Sequence, residues 1–184
     1  MRDAVVKEIS NLATLDSDVV LITGDLGFGV LTEFSEMHPD QFFNAGVAEQ
    51  NMTALACGMA LEGCKVYTYS IANFTTMRCL EQIRNDVCYH NADVTIISSG
   101  GGFSYGQLGI SHFSTEDLAI TNAIPNLSVL APSDPWEARE LVKQMYKSQG
   151  PKYLRLDKSD AGLSDASHKI KLGKARRVRN GADL

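Results

Sequence analysis

The sequence has no run of about 18 apolar residues, the length a helix needs to cross a bilayer, and it opens without an apolar secretory leader. A soluble, cytoplasmic protein is the expectation. Cysteine is sparse: Cys57, Cys64, Cys79 and Cys88 stand seven, fifteen and nine residues apart, with no C-x-x-C pair and no closely spaced histidine. Their apolar flanks point to reduced core thiols rather than a disulfide framework or a zinc site. Positive charge is not in excess. The net charge of -5 argues against a nucleic-acid binder, and the one basic run, "KIKLGKARRVR" (Lys169 to Arg179), falls in the last sixteen residues and reads as a solvated linker or exposed strand. Also missing are a G-x-x-x-x-G-K-[ST] loop, a G-x-G-x-x-G between a first strand and its helix, an H-E-x-x-H pair and a readable Ser-His-Asp arrangement. The chain therefore shows no phosphate cradle, metal site or nucleophilic triad of its own.

What is present is enough for one globular domain. The 184 residues are 44% apolar and 21% charged, a balance that supports a single sizeable core. Ala4, Val5, Ile9, Leu12 and Ala13 recur at helical spacing, and "VVLIT" (Val19 to Thr23) reads as a buried strand running into the turn "GDLGFG". A second helix is expected over 48–62, stopped by Gly63, then a strand at Lys65 to Ser70 and a helix over 74–89. Further strands are expected at Asp93 to Ser98, Leu127 to Pro132 and Lys152 to Leu156. Before the last of them Asp134 caps a helix, with Pro135 at its first position and Glu137 completing a capping box. Strands that alternate with helices and read as continuous apolar runs predict a three-layer α/β/α sandwich with a mostly parallel sheet. Ligands of such sheets sit at the carboxyl ends of the strands, so the loops to inspect follow Thr23, Ser70 and Ser98. The domain is expected over 1–160, with 161–184 a linker toward a further domain beyond Leu184.

Four features in these regions could carry chemistry. Glycines crowd two loops, Gly24 to Gly29 and Gly100 to Gly109; they are turn residues, or they let a flat ligand approach the backbone. His112 follows the second loop, ahead of a helix that Ser114 or Thr115 would cap; such a histidine is a surface group or a functional one. Ile71, Phe74 and Met77 form an apolar stripe at the start of a helix, a pattern that usually packs a core. Glu49 is the fourth and hardest case. In the first turn of its helix it could simply complement the helix dipole, an effect of about 0.3–1 kcal/mol. Yet "FFNAGVA" before it and "ALACGMA" after it place the carboxylate against apolar walls. Burial without a donor costs several kcal/mol, no basic residue stands beside it in the sequence, and a ligand nitrogen is one group that could fill that role.

At "GVAEQNM" the chain resembles the pyrimidine-binding domain of the transketolase family of thiamine-diphosphate enzymes. "CLEQIRND", "SYGQLGISH", "AIPNLSVLAPSD" and "GPKYLRL" match that family in order and spacing, over residues 2 to about 160. The resemblance implies that Glu49 hydrogen-bonds the aminopyrimidine nitrogen N1′ of thiamine diphosphate, promoting loss of the C2 proton. It implies that Phe74 stacks on the pyrimidine, with Ile71 and Met77 completing the pocket where family transketolases carry aromatics, and that Asp25 lies near the thiazolium. On the substrate side His112 is retained, Arg2 and Lys158 match phosphate-binding positions, and Gln107 with Leu108 replace an acidic pair. Gly100 and Gly29 stand where a substrate-contacting histidine and a phosphate-contacting serine are expected. The family binds Mg2+ and the diphosphate through a separate domain with a G-D-G…N motif, which is missing here. The chain is thus similar to the small, carboxy-terminal subunit of a split transketolase that starts at Met1. It is expected to be active with a diphosphate-binding partner, as a homodimer or a dimer of heterodimers, moving a two-carbon ketol unit between sugars. The alternatives are a 1-deoxyxylulose-5-phosphate synthase-like protein, a 2-oxo acid dehydrogenase beta-like subunit, or a non-catalytic interaction domain of the same fold.

Overall fold

The computed structural model describes residues 1–158, 169–174, 177 and 181. The expected linker over 161–184 therefore lies largely outside the described residues. Among the described residues six strands form one sheet, and every pairing between them is parallel. They are β1 (Val19–Thr23), β2 (Phe42–Asn44), β3 (Lys65–Ile71), β4 (Val94–Ser99), β5 (Ser128–Leu130) and β6 (Lys152–Leu156), in the order β2-β1-β3-β4-β6-β5. The helices are α1 (Arg2–Leu15), α2 (Thr32–Met37), α3 (Glu49–Leu61), α4 (Ala72–Thr76), α5 (Leu80–Gln82), α6 (Asp117–Asn122) and α7 (Pro135–Lys147). None is long and apolar enough to cross a membrane.

The apolar β-branched runs go to the centre because both faces of the sheet are covered. All five residues of β1 and all six of β4 are buried. On one face Val5, Ile9 and Ala13 of α1, Phe34 of α2 and Leu141 and Val142 of α7 pack on Leu21, Ile97 and Leu154. On the other, Met52 and Ala56 of α3 and Ile83 and Val87 after α5 pack on Ile22, Ile96 and Tyr153. Full burial of each such side chain contributes about 1.5–3 kcal/mol, so the three-layer arrangement follows from the alternation of strands and helices.

The expected elements appear with three corrections. The helix over 74–89 is broken: α4 ends at Thr76, α5 makes a single turn, and Ile83–Cys88 winds as a wider π-type segment. The strand expected to Pro132 stops at Leu130. Neither Ser114 nor Thr115 caps α6; Glu116 takes that position, and the Thr115 hydroxyl donates to its carboxylate. Asp134 caps α7 as expected, its Oδ1 accepting from the Glu137 amide at 2.8 Å, while Glu137 Oε2 accepts at 2.7 Å from the amide of Ser133, one residue ahead of the cap. Gly63, at φ +105, turns the chain out of α3. Two elements had no clear signal, α2 and β2. Because β2 pairs with β1 in the register Thr23↔Asn44, it places Asn44 at the same sheet edge as the loop after Thr23.

Candidate active site

A parallel sheet gathers the carboxyl ends of its strands on one edge, and the register brings Thr23, Ile71, Ser99 and Leu156 there together. After β1, the Thr23 hydroxyl donates to the Leu26 and Tyr69 carbonyls at 2.9 and 3.2 Å, folding the glycine turn back over the strand end. Asp25 takes the left-handed conformation at φ 58, which aspartate tolerates better than most residues. Asn44 secures it, accepting from the Asp25 amide at 3.0 Å and donating to its carboxylate at 3.1 Å. Gly24 matters for a different reason. A Cβ there would stand 3.3 Å from Glu49 Cγ, so glycine lets the first turn of α3 press against this loop.

Glu49 is buried, 4% exposed, at the start of α3. It is not left without a donor, and the expected lack of a basic partner is corrected: Arg78 Nη1 lies 3.4 and 3.3 Å from the two carboxylate oxygens. The pairing crosses 29 residues, so sequence adjacency could not show it. The same guanidinium lies 3.8 Å from the centroid of the Phe74 ring. Phe74 and Arg78 are four residues apart at the break after α4, and this spacing was the available signal. Phe74 also meets His112, ring centroids 5.0 Å apart and edge-on. Ile71 ends β3 and Met77 follows α4, both half-buried, flanking Phe74 along the chain.

The second glycine loop is fixed by its surroundings. Gly102 and Ser114 exchange backbone hydrogen bonds at 2.7 and 3.0 Å. A side chain on Gly101 would collide with the Arg155 guanidinium, and one on Gly100 with the Tyr105 ring. Arg155 in turn faces buried Asp117, which also accepts from the Tyr153 hydroxyl at 2.8 Å. Asn73 of α4 donates to the Phe113 carbonyl at 2.8 Å, tying the loop to the helix that carries Phe74. His112 Nδ1 and the Ser111 hydroxyl share a hydrogen bond of 2.9 Å. Tyr105 lies 6.2 Å from His112, and Lys158 Nζ sits over the Tyr105 ring at 3.7 Å.

Of the residues singled out in the sequence, Glu49, Phe74, His112 and Lys158 thus fall on one continuous path of contacts, with Arg78 and Tyr105 as links. Asp25 joins it through Gly24. Gln107 is exposed in the same loop. Arg2 is the exception. It lies beside Tyr69, whose hydroxyl burial pushes up while Ser99 and Arg2 hold it down, on the face covered by α1. Asn44, Arg78 and Tyr105 were not anticipated. Among the described residues no three His, Cys, Asp or Glu side chains gather closely enough to hold a metal. A flat nitrogen heterocycle does fit: Phe74 offers a stacking face, Glu49 a buried acceptor, and both already engage a flat, nitrogen-bearing group.

Comparison with known proteins bears on what that heterocycle is. Residues 1–162 match the family described as "Transketolase, pyrimidine binding domain". A protein of Methanocaldococcus jannaschii named as a transketolase C-terminal section is 35% identical over 97% of this chain and 55% of its own length. An apulose-4-phosphate transketolase subunit of Phocaeicola vulgatus is 33% identical over 100% of this chain and 60% of its own. A solved split-gene transketolase, described as an inactive beta4 tetramer, superposes with a TM-score of 0.87 at 30% identity, over 98% of this chain and 58% of that one. The chain spans a little over half the length of each.

Proposed function

The chain belongs to the transketolase pyrimidine-binding domain family, and from that premise we propose that it supplies the pyrimidine-binding half of a cytoplasmic, thiamine-diphosphate-dependent transferase that moves a two-carbon ketol unit between sugars or sugar phosphates. The observation that carries the reading is the slot between Glu49 and Phe74: a buried carboxylate and an aromatic face engaging one flat nitrogenous group. When bound, thiamine diphosphate supplies the carbon nucleophile and the electron sink for breaking and making the carbon–carbon bond. Glu49 would hold the pyrimidine nitrogen N1′ by a hydrogen bond, a contact its burial protects from water. Phe74 would carry the ring, with Ile71 and Met77 at its apolar edges, and Asp25 is the residue that would serve the thiazolium. His112, fixed against Phe74 by the anchored loop, orients the sugar, with Gln107 beside it. Lys158 and, more remotely, Arg2 offer cations to a phosphate.

The Mg2+ and the diphosphate belong to a partner subunit. Phe28, Val47, Phe103 and Ile110 support that part of the reading: they are 84%, 74%, 69% and 79% exposed, and all stand on the loops at the carboxyl edge of the sheet. Large apolar side chains concentrated on one functional edge mark an interaction surface. A diphosphate-binding subunit docked there completes the site, giving a homodimeric core or a dimer of heterodimers.

The test is to co-express the chain with a diphosphate-binding transketolase subunit and screen ketose donors by mass spectrometry. Glu49→Gln abolishes turnover, at least a hundredfold, while size-exclusion chromatography shows the assembly retained. Near-normal turnover of that variant overturns the assignment.

A further inference from the structure

The group that fills the slot is the chain's own. We infer that Arg78 is a built-in occupant of the pyrimidine position, closing the slot in the cofactor-free chain and leaving it when the cofactor ring enters. The inference rests on the reading of Glu49 and Phe74 given above. Two contacts define a pyrimidine seat there, a face against Phe74 and a nitrogen against Glu49, and the Arg78 guanidinium makes both. Its carbon stands 3.8 Å from the ring centroid and Nη1 lies 3.3 and 3.4 Å from the carboxylate oxygens. A planar, delocalised cation can lie against a ring and donate in its own plane at once, which the compact ammonium of a lysine cannot.

The same geometry makes the occupant removable. Charge-assisted hydrogen bonds of full strength are about 2.7–2.9 Å long, and these are longer. The Arg78 side chain is 44% exposed against 5% for Glu49, so its path to solvent is open. Its backbone stays in place, because the Arg78 carbonyl accepts from Gln50 Nε2 at 2.8 Å; rotation of side-chain torsions is enough. The occupant also has a purpose in the free chain, since it compensates a carboxylate that would otherwise be buried without a donor.

When a binding-competent state is only partly populated, the apparent dissociation constant is the intrinsic one divided by that fraction. An ion pair open to solvent on its Arg78 side, together with a cation–π contact, keeps such a slot closed about nine-tenths of the time. Arg78→Met, which keeps the stem and removes the charge, therefore binds thiamine diphosphate about tenfold more tightly than wild type in the complex with the diphosphate-binding subunit, by calorimetry with Mg2+. Affinity equal to or weaker than wild type overturns the inference. An independent measurement uses the cofactor-free chain. Its Arg78 side-chain NMR signals are displaced by the Phe74 ring current, lose that displacement in Phe74→Leu, and lose it in wild type when the complex is saturated with thiamine diphosphate. Undisplaced signals in the free chain, or displacement that persists at saturation, overturn the inference. Failure of the underlying reading looks different: Glu49→Gln and Phe74→Leu would both leave cofactor affinity and turnover at wild-type levels.

Discussion

Replacing Arg155 by methionine tests how the loop that carries His112 is held. Asp117 is 1% exposed, its Oδ2 accepts from Tyr153 at 2.8 Å and faces Arg155 Nε at 3.4 Å, and Oδ1 has no hydrogen-bond partner among the described residues. Without the guanidinium, a buried carboxylate keeps one neutral donor. Removing one member of a fully buried pair costs about 3–5 kcal/mol. Here the separation is long and the Arg155 side chain is 24% exposed, which lowers the expectation to about 2 kcal/mol. With a urea dependence of about 2 kcal/mol per molar, the unfolding midpoint falls by about 1 M, and the melting temperature by about 4–8 °C for a chain of this size. Asp117→Asn in the Arg155→Met background recovers more than half of that loss, because a neutral amide does not need the cation. The same variant frees Gly101 from its contact with the guanidinium, so the Gly102 amide, now bonded to the Ser114 carbonyl, exchanges faster with solvent. A loss below about 0.5 kcal/mol, or no recovery in the double variant, refutes the argument that charge compensation holds this loop.

Two further outcomes concern stability alone. Asp134→Ala removes the oxygen that accepts from the Glu137 amide at the start of α7 and lowers the urea-derived stability by about 1 kcal/mol; a change within about 0.3 kcal/mol contradicts the cap. Asp16 is hydrogen-bonded by Lys65 at 2.7 Å and by Tyr146 at 2.8 Å, and Lys65 chiefly holds its carboxyl below the ordinary value of 3.8 against the opposing effect of burial. A depressed carboxyl contributes stability that is present above its unfolded value and lost as pH falls through the lower folded value. With Lys65 one-third exposed, Asp16→Asn costs about 0.5–1 kcal/mol at neutral pH, and the difference from wild type vanishes in unfolding measurements well below pH 3.8. A difference that persists in acid refutes the pairing.

The repeating part of the fold was legible because burial leaves a period. β1, β3, β4 and β6 are buried on both faces and read as apolar runs, and α7 announced itself through Asp134, Pro135 and Glu137. What escaped notice was short or set by tertiary contact. β2 has three residues, too few to show alternation, and exists because β1 offers it an edge. The expected helix over 74–89 carried a plausible apolar period, yet it breaks after Thr76, where the Arg78 side chain reaches Glu49 and lies over the Phe74 ring. The candidate site divides in the same way. Glu49, Phe74 and His112 could be chosen by ordered motif resemblance, whereas Asn44 beside Asp25 and Tyr105 between His112 and Lys158 depend on loops meeting in space.

Glu49 shows why that division matters for mechanism. Read from sequence, its burial called for a donor that no neighbour along the chain supplies, and a ligand nitrogen was one candidate. In the folded chain Arg78 meets that requirement across 29 residues, so burial alone no longer implies a bound cofactor. Shape is what remains: the donor is planar and lies against an aromatic ring at 3.8 Å, although neutralising a carboxylate asks only for charge, which a lysine would supply as a point. A carboxylate and an aromatic face are each met by a point charge, as Lys158 over Tyr105 shows for the ring; what arginine adds is one planar group that reaches both at once, which is what the proposed cofactor slot asks of its occupant.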